Sequence, residues 1–191
     1  MEKVIDLRFD TTTENKRFSY SNDNKTVKKV KREGYWDGLL LANTFADLME
    51  TSEDGLKRQA KFKISIDDLL HEDTCRIMIG FAADSTQSEG VWNQETIWSF
   101  DASNNSFYQF KVLGEYTECE ELPLQQGDTV EFIMDVGKNR CLYAHIESKR
   151  LPQPVEFKAK LFMKFKDEDL PKIRPCLFIY DMGVTISLLD N

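Results

Sequence analysis

Apolar and polar residues take turns along most of this chain. Ala60, Phe62, Ile64 and Ile66 are separated by Lys61, Lys63 and Ser65, the period of a strand with one face in a core and the other in water. Val130, Phe132, Met134 and Val136 repeat the pattern. After Gly137-Lys138-Asn139 the run from Cys141 to Ser148 returns, so the pair reads as a hairpin. The longest alternation joins Val155, Phe157, Ala159, Leu161, Met163 and Phe165, with Lys158, Lys160, Lys164 and Lys166 on the opposite face. Ile5, Leu7 and Phe9 alternate near the start, and Phe107 to Leu113 follows the turn-rich DASNNS. Ile173 to Tyr180 is split from Val184 to Leu189 by Asp181-Met182-Gly183. Arg76 to Ala83 is nearly all apolar, as suits a strand covered on both faces. Only Ala42 to Met49 and Ile66 to His71 have room for a helical turn. Many short strands divided by turn signals predict an all-β fold. The expected form is a two-sheet antiparallel β-sandwich of jelly-roll type, with less than about a tenth of its residues in helix. No linker or repeat divides residues 1–191, which read as a single domain with residues 1–17 as a flanking strand or extension.

The 13 Phe among 191 residues are enough to fill the space between two sheets. No stretch nears the roughly 20 apolar residues that cross a bilayer. The opening MEKVIDLRFDTTTENKR lacks the apolar core and small-residue end of a secretory signal. Cys75, Cys119, Cys141 and Cys176 are widely spaced with no CxxC pair, the pattern of reduced thiols, so a cytoplasmic or nuclear location is expected. Net charge is -8, and its layout matters more than its size. Lys16, Arg17, Lys25, Lys28, Lys29, Lys31 and Arg32 crowd the early part, whereas Lys111 is the only basic residue between Ile77 and Gly137. That acidic middle would repel a phosphate backbone, so nucleic acid is not an expected partner. The basic run around Lys28 reads as a solvated strand edge guarded by lysines, with an anion-binding patch as the alternative.

Five segments fall in an order that resembles the SPRY domains: KFKISI (61–66), RIMIGFAAD (76–84), IWSFD (97–101), GDTVEFIMD (127–135) and RPCLFIYDMGVTISL (174–188). The resemblance as a whole covers roughly Phe18 to Leu189. The strongest is GDTVEFIMD, in which Gly127-Asp128 opens a strand and Asp135 ends it. The chain departs from the family pattern after the hairpin, where Ser148-Lys149 and Leu151-Pro152-Gln153-Pro154 replace an Asn-Gly turn and a small-residue stretch. The resemblance implies a divergent member with a concanavalin-like sandwich. It also implies a protein-recognition module, an adaptor or substrate receptor whose loops at one end of the sandwich bind a peptide or a partner surface. Members of the family are often attached to RING modules of the ubiquitin pathway, and this chain lacks the Cys/His set for one. By their chemistry Gly127, Asp128 and Asp135 read as turn formers. Pro175, which cannot donate to a ladder, reads as an edge or bulge residue.

Residues for catalysis are scarce. His71 and His145 are the only histidines, and no HExxH, GxSxG, P-loop or dinucleotide fingerprint is present. Cys141 and His145 would share a strand face at a separation of roughly 13 Å, out of hydrogen-bond reach. Glu131-x-Ile133-x-Asp135 lacks the middle acid of the strand motif that lectin-like glycanases share. The chain is therefore read as a non-enzymatic binding domain with no metal and no cofactor. Tyr35-Trp36, Val91-Trp92 and Tyr180-Asp181-Met182 carry large apolar side chains among polar neighbours, and they are expected to form one shallow site for a protein or peptide partner. Trp98 reads as core, and Trp36 stays open between core and surface. Asp84, Glu89, Glu95 and Asp101 border the Trp92 segment, so a basic peptide would complement it. A lectin-like carbohydrate-binding domain is the alternative, because lectins also stack sugars on aromatic side chains of a sandwich.

Overall fold

The computed structural model describes residues 5–12, 16–31, 35–70, 75–84, 96–109, 112–113 and 123–190. The larger of two antiparallel sheets runs β1 (Phe18–Ser21), β2 (Thr26–Lys29), β14 (Thr185–Leu189), β5 (Arg58–Asp68), β10 (Thr129–Asp135), β11 (Cys141–Glu147), β12 (Val155–Lys160), with β4 (Glu50–Thr51) also paired to β5. The smaller runs β3 (Asp37–Leu40), β13 (Ile173–Ile179), β6 (Ile77–Ala83), β7 (Ile97–Asp101), β8 (Ser106–Gln109), β9 (Val112–Leu113). The fold is thus the predicted two-sheet sandwich. Its helical part among the described residues is α1 (Phe45–Leu48) and a 3-10 turn at Leu170–Lys172.

The core forms where the inward residues of the two sheets meet. Phe62, Phe132, Leu142 and Phe157 of the larger sheet face Ile79, Phe81, Phe100 and Leu177 of the smaller, all fully buried. Phe81 is the hub, edge-on to Phe62 at 5.6 Å and to Phe45 at 5.3 Å between ring centres. Burying each such side chain contributes roughly 1.5–3 kcal/mol, and the offset ring pairs add about 0.5–1.5 kcal/mol each. Leu7 and Phe9 are buried in the same core, so the chain start does pack against it. Among its described residues it pairs through a single bridge, Phe9 to Leu41.

Three expectations change in detail. The longest alternation is a strand only to Lys160. Beyond it Leu161 remains buried and Phe165 stands edge-on to Trp98 at 5.0 Å, so the period records burial without a ladder partner. Ile66 to Asp68 stays in β5 instead of forming a helical turn, and Leu70 then turns the chain at φ +62°; His71 lies outside the described residues. Pro175 sits inside the sheet, paired with Phe81 of β6, at the point where the ladder to β3 has ended. The Leu41 carbonyl beside it accepts instead from Arg174 Nε at 2.6 Å. The turn formers behave as read: Gly127 has φ +88°, Asp128 accepts from the Gln125 amide at 2.9 Å, and Asp135 accepts from the Gly137 amide at 2.8 Å.

The strand directions define two poles. The ends of β2, β5, β7 and β13 and the starts of β3 and β6 meet at one of them. At the other, Lys25 Nζ pairs with Asp6 at 3.1 Å and with Asp190 at 2.7 Å, which brings both ends of the described chain together.

Candidate functional site

The first pole is organised by a lysine in a place that the alternation reserves for an apolar residue. Val27 and Lys29 are the inward residues of β2, and both are fully buried. Lys29 Nζ donates to the carbonyls of Tyr35 (2.5 Å), Ile179 (2.9 Å) and Tyr180 (2.6 Å), and it pairs with Asp37 Oδ2 at 3.2 Å. Asp37 is itself fully buried and takes Arg17 Nη1 on its other oxygen at 2.8 Å. An ammonium has three donors and no acceptor, so three carbonyls and one carboxylate satisfy it without water. The run around Lys28 is therefore not simply a solvated edge. Its second lysine joins the end of β2 to the start of β3 and the end of β13, strands of opposite sheets.

A second layer lies over this anchor. Arg76, at the entrance to β6, donates its backbone amide to Asp181 Oδ2 at 2.8 Å and its guanidinium to both Asp181 oxygens. The same guanidinium carbon sits 3.9 Å from the centre of the Tyr180 ring, a cation–π distance. Tyr180 meets Trp36 edge-on at 5.5 Å. Gly183 closes the turn at φ +88° and donates its amide to the Lys29 carbonyl at 2.8 Å; a Cβ there would lie 2.6 Å from Leu70 Cδ2. The result leaves Tyr35 58% and Met182 38% exposed above half-buried Trp36 and Tyr180.

The structure thus brings together Tyr35, Trp36, Tyr180, Asp181 and Met182. Asp101 is not a surface acid beside them. It is 1% exposed, accepts from the Ser103 amide at 2.9 Å and from the Ser103 hydroxyl, and burial pushes its carboxyl above the usual range despite those bonds. It closes the turn after β7. Val91 and Trp92 lie outside the described residues, as do Glu89 and Glu95. The flanks of that segment leave from the opposite pole, where Ala83 donates to the Thr96 carbonyl at 2.9 Å and Asp84 to that of Lys172 at 2.8 Å. Asp84 lies 3.7 Å from Arg174, away from the Tyr35 pole. Sequence reasoning missed Lys29, Asp37 and Arg76. The available signal was a lysine at an inward position of the alternation that contains Val27.

Of the two histidines weighed for chemistry, His71 lies outside the described residues and His145 is described. His145 stands on the outer face of the larger sheet with Nδ1 3.1 Å from Glu131 and Nε2 2.9 Å from Glu156. No cluster of three or more metal-ligating side chains occurs among the described residues. Cys75, Cys141 and Cys176 are buried free thiols, and Cys119 lies outside the described residues. Burial pushes the thiols of Cys75 and Cys176 far up, and for Cys75 the charges of Asp181 and Asp128 add to it. Both folded values lie above the unfolded one of about 8.5, so the unfolded chain loses these protons first. The stabilisation is complete below about pH 8.5 and falls as pH rises, by at most about 1.4 kcal/mol per pH unit for each thiol. Urea midpoints at pH 8 and 9.5 should show this decline, and Cys176→Ala should halve it; equal slopes would contradict the assignment.

No family model and no curated protein matches the sequence, so the comparison rests on solved structures. The TRIM65 PSpry domain superposes over 97% of this chain and 92% of its own, with TM-score 0.60 at 15% identity. The SPRY domain of human HERC1 covers 95% of this chain and 97% of its own, with TM-score 0.54 at 15% identity. Lectin II from Ulex europaeus covers 99% and 91%, with TM-score 0.50 at 10% identity. The superpositions show that this chain has the β-sandwich fold of the SPRY domains, in line with the resemblance of its motifs.

Proposed function

We propose that this chain is a protein-recognition module that binds a peptide or partner surface at the pole carrying Tyr35, Trp36, Tyr180 and Met182. One observation carries the reading: exposed aromatic and thioether side chains sit on a floor fixed by the Lys29–Asp37 and Arg76–Asp181 pairs. Such a platform loses little conformational entropy on binding, which is what makes aromatic anchors effective. The SPRY domains among the similar structures favour a protein as the partner, and the module then acts as an adaptor or substrate receptor for machinery elsewhere, ubiquitin transfer included. Catalysis has no part in the reading. Three buried free thiols fit a cytoplasmic or nuclear setting.

The test is affinity capture with wild type and Tyr35→Ala, followed by calorimetry on the captured partner. Tyr35→Ala should weaken binding by at least about 2 kcal/mol, roughly 30-fold, while stability changes by less than about 1 kcal/mol. An unchanged affinity would move the site elsewhere. The lectin likeness supplies the second reading, and Tyr35-dependent binding on a glycan array would favour it instead.

A further inference from the structure

We infer that the segment bound at this pole is acidic, with a bulky apolar residue among its acids; the inference rests on the recognition reading above and adds the chemistry of the partner. Six large apolar side chains are exposed among the described residues, and four of them, Val30, Tyr35, Leu70 and Met182, belong to this pole. Val30 follows Lys29, and the Leu70 side chain lies against Gly183 in the turn that presents Met182. These four stand at the pole where strands of both sheets end, and together they supply its apolar seat.

The rim of the seat is basic. The Val30 amide donates to the Arg17 carbonyl at 2.7 Å, which sets Lys16 and Lys31 beside each other in the chain's path at this pole. Both are exposed, and neither pairs with an acid among the described residues. Lys28 reaches Asp68 only at 4.0 Å, and the Arg76 side chain remains 51% exposed although it is paired. On the acidic side, Asp37 and Asp181 are buried and already neutralised by Lys29, Arg17 and Arg76. Among the described residues Asp68 is the exposed acid in the ladder row that closes this pole, and Lys28 offsets it. The expectation of a basic partner came from acids that the structure buries, sets at the other pole or leaves undescribed. Glu33, Glu72, Asp73 and the acids of residues 114–122 lie outside the described residues.

A local basic rim on a chain of net charge -8 selects for a short acidic segment rather than a long polyanion. Nucleic acid extending past the rim would meet the acidic body, whereas a peptide of a dozen residues stays within it.

The experiment pans a displayed library of random dodecapeptides on the full chain and then measures selected peptides by fluorescence anisotropy. Peptides rich in Asp and Glu around a bulky apolar residue are expected. Tyr35→Ala should abolish their binding, and Lys16→Glu with Lys31→Glu should weaken it about tenfold at low salt and flatten its salt dependence. Selection of basic, Tyr35-dependent peptides would overturn the charge assignment and leave the recognition reading standing. Acidic peptides indifferent to Tyr35→Ala would overturn this pole as their seat, and an absence of peptides sensitive to either variant would overturn both readings. Polyuridylate bound as tightly as the peptides, with the same dependence on Lys16 and Lys31, would replace the peptide by a polyanion.

Discussion

Lys29→Met should lower the stability of this protein by about 3–5 kcal/mol, the range for removing one partner of a buried ion pair. Methionine keeps the length of the side chain and its apolar stem, so the loss isolates the ammonium. Without it Asp37 stays buried with Arg17 as its charged partner, and the carbonyls of Tyr35, Ile179 and Tyr180 lose a donor. A second substitution separates charge from packing. Lys29→Met combined with Asp37→Leu removes both charges, and apolar replacement of a whole buried pair is often near neutral. The double variant should therefore be more stable than Lys29→Met alone, still short of wild type because the three carbonyls remain unserved. Urea unfolding of wild type, Lys29→Met, Asp37→Leu and the double variant reads the coupling directly. A Lys29→Met variant as stable as wild type would show that the pole does not depend on this contact.

Trp98→Ala is the second large effect. Trp98 is 3% exposed, pairs across the ladder with Phe81, and packs edge-on against Phe165. Truncating a core tryptophan costs about 3–5 kcal/mol, which for a chain of this size lowers the melting temperature by roughly 10 °C. Tyr35→Ala, also an aromatic truncation but at a side chain more than half exposed, should move it by less than about 4 °C. Calorimetric melts of the two variants give the contrast. Similar shifts would mean that Tyr35 is held by contacts beyond the Lys29 anchor.

What the sequence made legible follows from how each residue type meets its neighbours. Phe62, Ile64, Phe132 and Phe157 announced their strands because a period of two is a property of the chain itself. The pole was half legible. Tyr35, Trp36 and Tyr180 stood out as aromatics among turn residues, and they do meet. Lys29 was obscured because its charge outweighed its place in the alternation, and no local pattern says that three carbonyls from distant segments will surround an ammonium. Asp101 misled for the opposite reason: beside DASNNS an acid looks solvated, yet the ladder to β6 and β8 carries it inside. Phe165 shows that an alternation can outlast its strand, since packing on Trp98 imposes the same period without a ladder partner among the described residues.

Lys25 gathers Asp6 and Asp190 at the pole opposite Tyr35. Anything joined to the chain beyond either of them, whether a further segment, a purification handle or a sensor surface, attaches on that side. The aromatic pole then faces outward whichever terminus bears the tether. Two preparations immobilised through opposite termini should therefore capture a partner equally well.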